Sequence, residues 1–518
     1  MLWPILFIKS EGVDPGIQKA VIIIGAGPAG LTAAYELSKA GIRPTVLEKD
    51  SVVGGLSRTV CHKGYHFDVG GHRFFTKVKA VDDMWREVLK DGQFLRRQRL
   101  SRIFYNGRFF NYPLHTANVV FGLGIINSIL VLLSYFHARM FPEKPEVTFE
   151  QWVSNRFGKR LYRIFFKTYT EKVWGIPCNE IAAEWAAQRI KGLSLFTAVK
   201  DALIRGRVKQ KGEIIKTLID AFDYPALGPG MMWNTVLDLV QARGTKILLQ
   251  TSVNRIFWSA GAVTGLEIET RGEGRVIQGT HFISSMPMRE LVQKLEPAAP
   301  DEVLRAAEKL NYRDFLTIAL IINKPQLFPD NWIYVHDPKV RVGRIQNFKN
   351  WSPQMVPDPS KTCLGLEYFC FEGDDLWAMD DAELVRLATK ELSQLGLADE
   401  ADILEGTVVR VPKAYPVYDS TYAEALWTVR RFLENVGNLY LVGRNGMHKY
   451  NNQDHSMLTA MLTVKNIFGA NYDIWKVNVD QEFHEEIRSR EATETDDEFA
   501  LLRSTQRSVP QRRQQSAR

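Results

Sequence analysis

Three closely spaced glycines, Gly25, Gly27 and Gly30, lie between an apolar segment, residues 21–24, and a stretch with helical spacing of apolar residues. A strand, a glycine turn and a helix in this order direct backbone N–H groups at the helix N-terminus towards a pyrophosphate. A second apolar segment ends at Glu48, where this type of fold places a carboxylate on a ribose hydroxyl. The sequence therefore predicts an adenine dinucleotide site.

A glycine pair after the second strand indicates which dinucleotide binds. Residues 53–58, VGGLSR, contain Gly54, Gly55 and Arg58. This extension resembles the one that follows the glycine motif in two-dinucleotide-binding-domain flavoproteins of the amine oxidase kind, and it favours FAD over NAD. Another glycine pair ends at Gly71, whose missing side chain suits close backbone approach to a flat ligand.

Five segments, in the same order along the chain, resemble motifs of UDP-galactopyranose mutases. They are residues 71–76 (GHRFFT), 166–175 (FKTYTEKVWG), 343–345 (GRI), 415–419 (YPVYD) and 443–454, which includes Gly443-Arg444, Lys449-Tyr450 and Asp454. Collinear matches over most of the chain are more specific than a single motif.

The resemblance implies an enzyme that interconverts the pyranose and furanose forms of a nucleotide sugar in surface polysaccharide or glycolipid synthesis. In that family reduced FAD is the nucleophile: its N5 forms an adduct with the anomeric carbon and displaces the nucleotide, which divides a difficult rearrangement into easier steps. NAD(P)H is one candidate reductant. The expected partners are a nucleotide sugar or another anionic small molecule. No residue spacing indicates a metal site.

The same resemblance assigns roles by position. Residues expected at the flavin, the sugar or the leaving diphosphate are His72, Arg344, Tyr415 and Tyr450. Residues expected to line the nucleotide-sugar pocket are Tyr169, Trp174, Arg189 and Tyr418. Additional residues expected at the cofactor are Val253 beside the adenine, and Gly443, Arg444 and Asp454 near the flavin ring, where a helix N-terminus would stabilise negative charge.

Two departures from the mutase pattern leave the substrate open. Leu193 stands where the family has a second arginine, and Asn451 stands where it has a second tyrosine. A different nucleotide sugar, or a lipid-linked one, is compatible with these changes. A second hypothesis is an FAD-dependent oxidoreductase of the protoporphyrinogen oxidase, amine oxidase or phytoene desaturase type, acting on a lipophilic substrate. A third is a flavin-binding scaffold without catalysis.

The elements that must position these residues indicate an α/β two-dinucleotide-binding-domain flavoprotein, with a Rossmann-like FAD domain and inserted helical and mixed α/β substrate domains. Local signals include a hairpin turn at Asn106-Gly107, a capping box from Thr148 to Gln151 and a helix between Asp380 and Leu395. We expect an FAD domain assembled from residues 19–90, 217–300 and 431–475, a helical substrate domain at 91–216, a mixed substrate domain at 301–430 and a disordered tail at 484–518.

The net charge, the cysteines and one apolar stretch further limit the class of protein. The 518 residues carry a net charge of +7, which suits an anionic ligand or membrane surface and does not require nucleic acid. Four cysteines without a paired spacing indicate a reducing, cytoplasmic compartment. Residues 114–138 lack Lys, Arg, Asp and Glu. Because polar residues and glycines interrupt this stretch, a core helix or a helix lying on a membrane is favoured over a spanning helix. The sequence does not indicate an oligomeric state.

Overall fold

The computed structural model describes residues 19–112, 114, 116–183, 221–478, 499 and 502. Three sheets dominate the described chain. The strands are β1 (Val21–Ile24), β2 (Thr45–Leu47), β3 (Thr59–His62), β4 (Tyr65–Asp68), β5 (Phe94–Gln98), β6 (Ser101–Tyr105), β7 (Arg108–Asn111), β8 (Ala221–Pro225), β9 (Lys246–Leu248), β10 (Thr251–Ser259), β11 (Ala262–Thr270), β12 (Glu273–Ile277), β13 (His281–Ser284), β14 (Leu295–Glu296), β15 (Tyr312–Ile322), β16 (Trp332–Val335), β17 (Arg344–Asn347), β18 (Thr362–Cys370), β19 (Ile403–Pro416) and β20 (Leu439–Leu441).

Helices cover and connect these sheets. They are α1 (Pro28–Lys39), α2 (Lys79–Val88), α3 (Thr116–Leu123), α4 (Ile125–Met140), α5 (Phe149–Phe157), α6 (Lys159–Tyr162), α7 (Thr168–Trp174), α8 (Gly230–Ala242), α9 (Met288–Gln293), α10 (Asp301–Glu308), α11 (Phe348–Trp351), α12 (Asp375–Ala378), α13 (Asp381–Gln394), α14 (Tyr422–Leu433), α15 (Gly443–Gly446) and α16 (Gln453–Ile467). A π-helical turn, Arg163–Lys167, joins α6 to α7.

The first sheet is parallel, with strand order β20-β13-β1-β2-β9. All four residues of β1 are buried, as expected of a central parallel strand with both faces covered. Helices α1, α8 and α16 contribute to one hydrophobic cluster with this sheet. Chain segments that are distant in sequence therefore meet in one Rossmann-like layer, and the predicted fold class is confirmed.

A seven-stranded sheet, with order β19-β15-β18-β17-β16-β6-β7, forms the second large layer. Every residue of β15 and β18 is buried, and most of these residues are apolar, with Arg313, Asp314 and Glu367 as the charged exceptions. The β6–β7 hairpin turns at Asn106-Gly107, both with positive φ, as the sequence predicted. Since β6 pairs with β16, the early hairpin and the later chain form one sheet. A four-stranded sheet, β12-β11-β10-β14, lies beside the parallel layer.

The helical region confirms the predicted capping box. The Thr148 hydroxyl accepts from the Gln151 backbone N–H at 3.3 Å, and the Gln151 side chain accepts from the Thr148 N–H at 3.1 Å. These two bonds satisfy N–H groups that the first turn of α5 leaves without helical partners. The predicted helix after Asp380 is also present as α13.

The apolar stretch forms two helices rather than one. Gly124, with φ +81°, separates α3 from α4. Among the described residues, no helix is long and apolar enough to cross a membrane. The interpretation of this stretch as a core helix is wrong, because α4 buries Val131, Tyr135 and Ala138 while its other side is exposed.

A buried carboxylate near the centre of the fold predicts a pH-dependent stability. Asp68 is fully buried, accepts from the Thr59 hydroxyl at 2.9 Å and shares a 2.5 Å hydrogen bond with the Tyr224 hydroxyl. Burial raises the pKa of Asp68 to about 8. The unfolded chain, with an aspartate pKa of about 3.9, releases a proton that the folded state retains, so the free energy of unfolding falls as pH rises between about 4 and 8. We expect Asp68→Asn to flatten this decline in urea unfolding measured across that range.

The matched control is Asp238→Asn, which changes an exposed carboxylate in α8. If the free energy of unfolding declines with pH as steeply in Asp68→Asn as in Asp238→Asn, Asp68 does not titrate in this range.

Candidate functional site

One cavity of about 370 Å³ is lined by nine of the twenty sequence-predicted site residues. It lies where the β4–α2 segment, α7, β17, the end of β19 and the start of α16 converge. Predicted residues that line it are Gly71, His72, Tyr169, Trp174, Arg344, Tyr415, Arg444, Tyr450 and Asp454. These residues come from five separate parts of the chain, so the tertiary fold assembles the site.

The glycine turn has the geometry that a dinucleotide requires. A Cβ on Gly30 would lie 1.9 Å from the Gly25 carbonyl oxygen, so α1 can pack against the turn only without a side chain there. The Cα of Gly55 lies 3.8 Å from the position that a Cβ on Gly27 would occupy. Helix α1 starts at Pro28 with no side chain capping its N-terminus. This bare backbone surface with uncapped N–H groups fits the pyrophosphate of FAD.

Glu48 and Arg58 stabilise the loops around this turn. One Glu48 carboxylate oxygen accepts from the Ala26 N–H at 2.6 Å, and the other accepts from the Asp50 N–H at 2.9 Å. Burial raises the Glu48 pKa, while the two backbone donors oppose the rise. Arg58 pairs with Asp50 at 2.7 Å. Their predicted contacts with the cofactor stay predictions.

Val253 does not line this cavity. Val253, in β10, is buried in the hydrophobic cluster that contains Ile24 and Leu47, beneath the strands that carry the glycine turn and Glu48. Its predicted place beside the adenine stays a prediction. Arg189 lies outside the described residues.

The Gly443–Arg444 turn forms a second backbone approach. Gly443 has φ +79°, a conformation that favours glycine, and its N–H donates to the Thr459 hydroxyl at 3.1 Å. The Asn451 side chain donates to the Gly443 carbonyl at 3.0 Å, and the Asn451 carbonyl accepts from Arg444 Nε at 2.9 Å. Asn451 therefore supports this turn. Its replacement of the tyrosine in the mutase motif did not predict this role. Asp454 is buried in the first turn of α16.

Aromatic rings form one wall of the cavity. The Tyr415 and Tyr450 rings stack with centroids 5.6 Å apart, and the Arg444 guanidinium lies 5.3 Å and 4.8 Å from their respective centroids. Tyr418 does not line the cavity; its ring stacks on Trp174 at 6.5 Å and its hydroxyl accepts from the Tyr450 N–H at 2.6 Å. Tyr418 thus supports this wall from behind.

Two cations, the half-buried Lys172 and the buried Arg313, hold α7 in place. Lys172 Nζ donates to the carbonyls of Val335, Asp337 and Val342 at 3.3, 2.7 and 3.1 Å. Arg313 donates to the carbonyls of Val173 at 3.2 Å and Phe369 at 2.9 Å. Neither contact could be predicted from the sequence, because the partners are backbone atoms far away along the chain.

Arg344 carries a half-buried positive charge at the cavity wall. Its guanidinium lies 2.6 Å from the Glu367 carboxylate, which is fully buried, and donates to the Tyr415 hydroxyl at 3.0 Å. Glu367 in turn accepts from Gln346 Nε2 at 2.8 Å. Burial lowers the Arg344 pKa, but Glu367 more than offsets this, so the pKa is raised and the guanidinium stays charged. Arg344 Nε is buried and has no acceptor within the part of the chain that the structure describes.

The cavity histidines are neutral. Burial and the nearby Arg444 lower the pKa of His72 to about 4, and its Nδ1 lies 3.0 Å from the Gly70 carbonyl oxygen. Because a carbonyl only accepts, Nδ1 carries the proton and Nε2 keeps a lone pair. His336, which the sequence analysis did not identify, stacks on Tyr169 at 4.8 Å, and burial lowers its pKa to about 3.

Arg73 is a further cavity residue that sequence analysis missed. It lines the cavity and lies 5.2 Å from the Trp332 ring centroid. Burial, followed by the neighbouring Arg99, lowers the Arg73 pKa to about 10, so it remains a cation at neutral pH. Its position directly after His72 in the sequence could have identified Arg73 as a site residue. With Arg344 and Arg444, it makes the cavity suited to an anion.

Comparisons with known proteins agree with this geometry. Residues 23–88 match a family model described as an NAD(P)-binding Rossmann-like domain. Residues 193–452, half of the chain, match the model described as flavin containing amine oxidoreductase. The chain belongs to the flavin-containing amine oxidoreductase family. It is therefore an FAD-dependent flavoenzyme of the amine oxidase superfamily.

Individual relatives include both mutases and oxidoreductases. A crystal structure of reduced UDP-galactopyranose mutase superposes with a TM-score of 0.75 at 22% identity, covering 88% of this chain and 94% of that one. A Klebsiella pneumoniae protein named probable UDP-galactopyranose mutase is 28% identical over 32% of this chain, but only 44% of that relative's length is matched. A 1-hydroxycarotenoid 3,4-desaturase of Flavobacterium sp. (strain P99-3) is 22% identical over 88% of this chain and all of its own length. The resemblance to mutase-like flavoproteins is thus confirmed, and the structural likeness establishes the fold.

Proposed function

We propose that this flavoenzyme is a mutase that interconverts the pyranose and furanose forms of a nucleotide sugar. The observation that carries the proposal is the set of three guanidinium groups, those of Arg73, Arg344 and Arg444, that line one cavity. Guanidinium groups bind phosphate oxygens through charge-assisted, often bidentate hydrogen bonds. An uncharged lipophilic substrate offers no phosphate oxygen for these guanidinium groups to bind.

The residues around the cavity would have separate roles in the proposed reaction. Arg344 and the Tyr415 hydroxyl are placed to bind the diphosphate and to stabilise the negative charge that develops as it leaves. The stacked Tyr415 and Tyr450 rings with Trp174 provide flat surfaces against which a sugar or base can be oriented. His72, neutral and half-buried, offers Nε2 as a hydrogen-bond acceptor.

The cofactor would be required in its reduced form. Reduced FAD supplies an electron-rich centre to which this cavity would present the anomeric carbon. NAD(P)H or another reductant would be needed only to reduce the flavin at the start, because the sugar rearrangement has no net redox change.

The alternative is an oxidoreductase that acts on a lipophilic substrate. One observation favours it: part of the cavity lining is apolar, namely Ile103, Leu114, Phe149, Phe165 and Phe166. The full-length match to a carotenoid desaturase is consistent with this alternative.

The number of product molecules formed for each reduced flavin distinguishes the two activities. We expect dithionite-reduced protein, incubated without oxygen with UDP-, GDP- and dTDP-hexopyranoses, to convert one of them to its furanose form over many turnovers for each reduced flavin. Chromatography of the nucleotide sugars measures the product, and flavin absorbance measures the redox state. The oxidised protein is the control and should be inactive. No furanose from any sugar, together with oxygen or quinone consumption that matches turnover of a lipophilic substrate, would replace the mutase by the oxidoreductase.

A further inference from the structure

Helices α3 and α4 expose a row of large apolar side chains that no other described part of the chain covers. We call this row the hairpin face, and it consists of Phe121, Ile125, Ile126, Ile129, Leu133, Phe136, Met140 and Phe141. Phe121 is 83% exposed, Ile126 76% and Leu133 59%. On α4 these residues recur at intervals of three and four, so they lie on one side of the helix. Such a continuous exposed apolar surface marks an interaction site.

The opposite side of the helix pair is firmly packed. Val131 belongs to the same hydrophobic cluster as Phe149 and Phe157 of α5. A Cβ on Gly122 would lie 2.3 Å from Phe110, so α3 sits directly against the β7 strand. The hairpin face is therefore held in a fixed orientation by the rest of the protein.

Two arginines, Arg108 and Arg139, contribute positive charge at the helix pair, and residues 114–138 carry no Asp or Glu. Arg139 is exposed in the last turn of α4, and Arg108 donates to the Gly122 carbonyl of α3 at 2.7 Å. Within the described part of the chain, neither arginine forms an ion pair with a carboxylate. This charge pattern complements an anionic lipid surface.

We propose that the hairpin face docks this enzyme onto the surface of a bilayer that contains anionic phospholipid. Helix α4 has 16 residues and is therefore about 24 Å long, shorter than the roughly 30 Å hydrocarbon core of a bilayer. With an apolar side outward and an inward side packed on protein, α4 lies in the plane of the interface. A second copy of the chain is a poorer occupant, because it would bring a second Arg108 and Arg139 close to the first pair.

Docking would bring the cavity close to the membrane. Leu114, which lines the cavity, lies two residues before the start of α3. The hairpin and the cavity wall also share one hydrophobic cluster, which includes Phe149 and Phe165. The docking proposal is independent of whether the enzyme is a mutase.

Vesicle co-sedimentation of the full-length flavoprotein tests this proposal. The protein is mixed with extruded vesicles of phosphatidylcholine, with or without phosphatidylglycerol, and the pelleted fraction is read from flavin absorbance. We expect binding to the anionic vesicles. The combined variant Ile126→Ser, Ile129→Ser and Leu133→Ser should lower the partition coefficient at least about tenfold, since each loses apolar burial in the interface. Arg139→Gln should lower it about fivefold.

The matched control removes three exposed apolar side chains elsewhere: Val276→Ser, Leu404→Ser and Trp427→Ser, at residues that are 58%, 50% and 58% exposed. It should bind vesicles like the unchanged protein. Equal loss in both triple variants, or no binding of the unchanged protein to anionic vesicles, would overturn the proposal. A dimer that forms without lipid, is detected by light scattering and is dissociated only by the hairpin variant would also overturn the proposal. A second copy of the chain would then cover the hairpin face.

Discussion

Replacement of Gly27 by Ala is expected to weaken FAD binding while leaving the fold intact. Gly27 has φ −78° and ψ −174°, which alanine adopts readily, and the nearest atom to its new Cβ is 3.8 Å away. The methyl group would instead occupy the space through which a pyrophosphate approaches the backbone. Loss of one hydrogen bond to a charged group costs about 1.5–3 kcal/mol, so the dissociation constant should rise by about 10- to 150-fold.

Flavin titration and the ratio of flavin to protein absorbance after purification measure this effect. Gly274→Ala is the matched control, since a Cβ there meets no atom within 4 Å. Both variants should unfold at the temperature of the unchanged apoprotein. Full flavin occupancy in Gly27→Ala would show that the glycine turn does not contact the cofactor.

Replacement of Arg344 by Ala is expected to impair both activity and stability. The buried Glu367 carboxylate would lose its counter-ion, and removal of one partner from a buried pair costs about 3–5 kcal/mol. Activity should fall by about a hundredfold or more in kcat/KM if the guanidinium binds the leaving diphosphate. A single variant therefore cannot separate the two effects.

The double variant Arg344→Met with Glu367→Gln separates them. It removes both charges, so most of the lost free energy of unfolding should return, whereas nucleotide-sugar binding measured by calorimetry should remain lost. Arg341→Ala provides the control, because Arg341 forms an exposed pair with Asp375 at 2.6 Å and such pairs contribute about 0–1 kcal/mol. Recovery of nucleotide-sugar affinity in the double variant would assign Arg344 a purely structural role.

Much of the fold could be predicted because its signals are local. The turn at Asn106-Gly107 and the capping box at Thr148 depend on residues within four positions of one another. The glycine turn before α1 is equally local, since Gly25, Gly27 and Gly30 act within one loop. The apolar stretch could not be interpreted in this way. Hydrophobicity alone does not say which side of a helix the rest of the protein will cover.

The electrostatics of the site depended on contacts between distant segments. Glu367 neutralises Arg344 across neighbouring strands, and Tyr224 meets Asp68 from a strand 156 residues away. Asn451, a departure from the mutase motif, supports the Gly443 turn from a position that its residue type did not indicate.

By itself the sequence determined that this chain forms a Rossmann-like flavoprotein, because a dinucleotide turn needs glycine at fixed spacings and those spacings are local. Only the tertiary structure decided which charges face the cavity. Burial and long-range pairing determine whether Arg344 is charged, whether His72 is neutral and which side of α4 is exposed. These properties depend on neighbours in space, and the linear order of residues does not specify those neighbours.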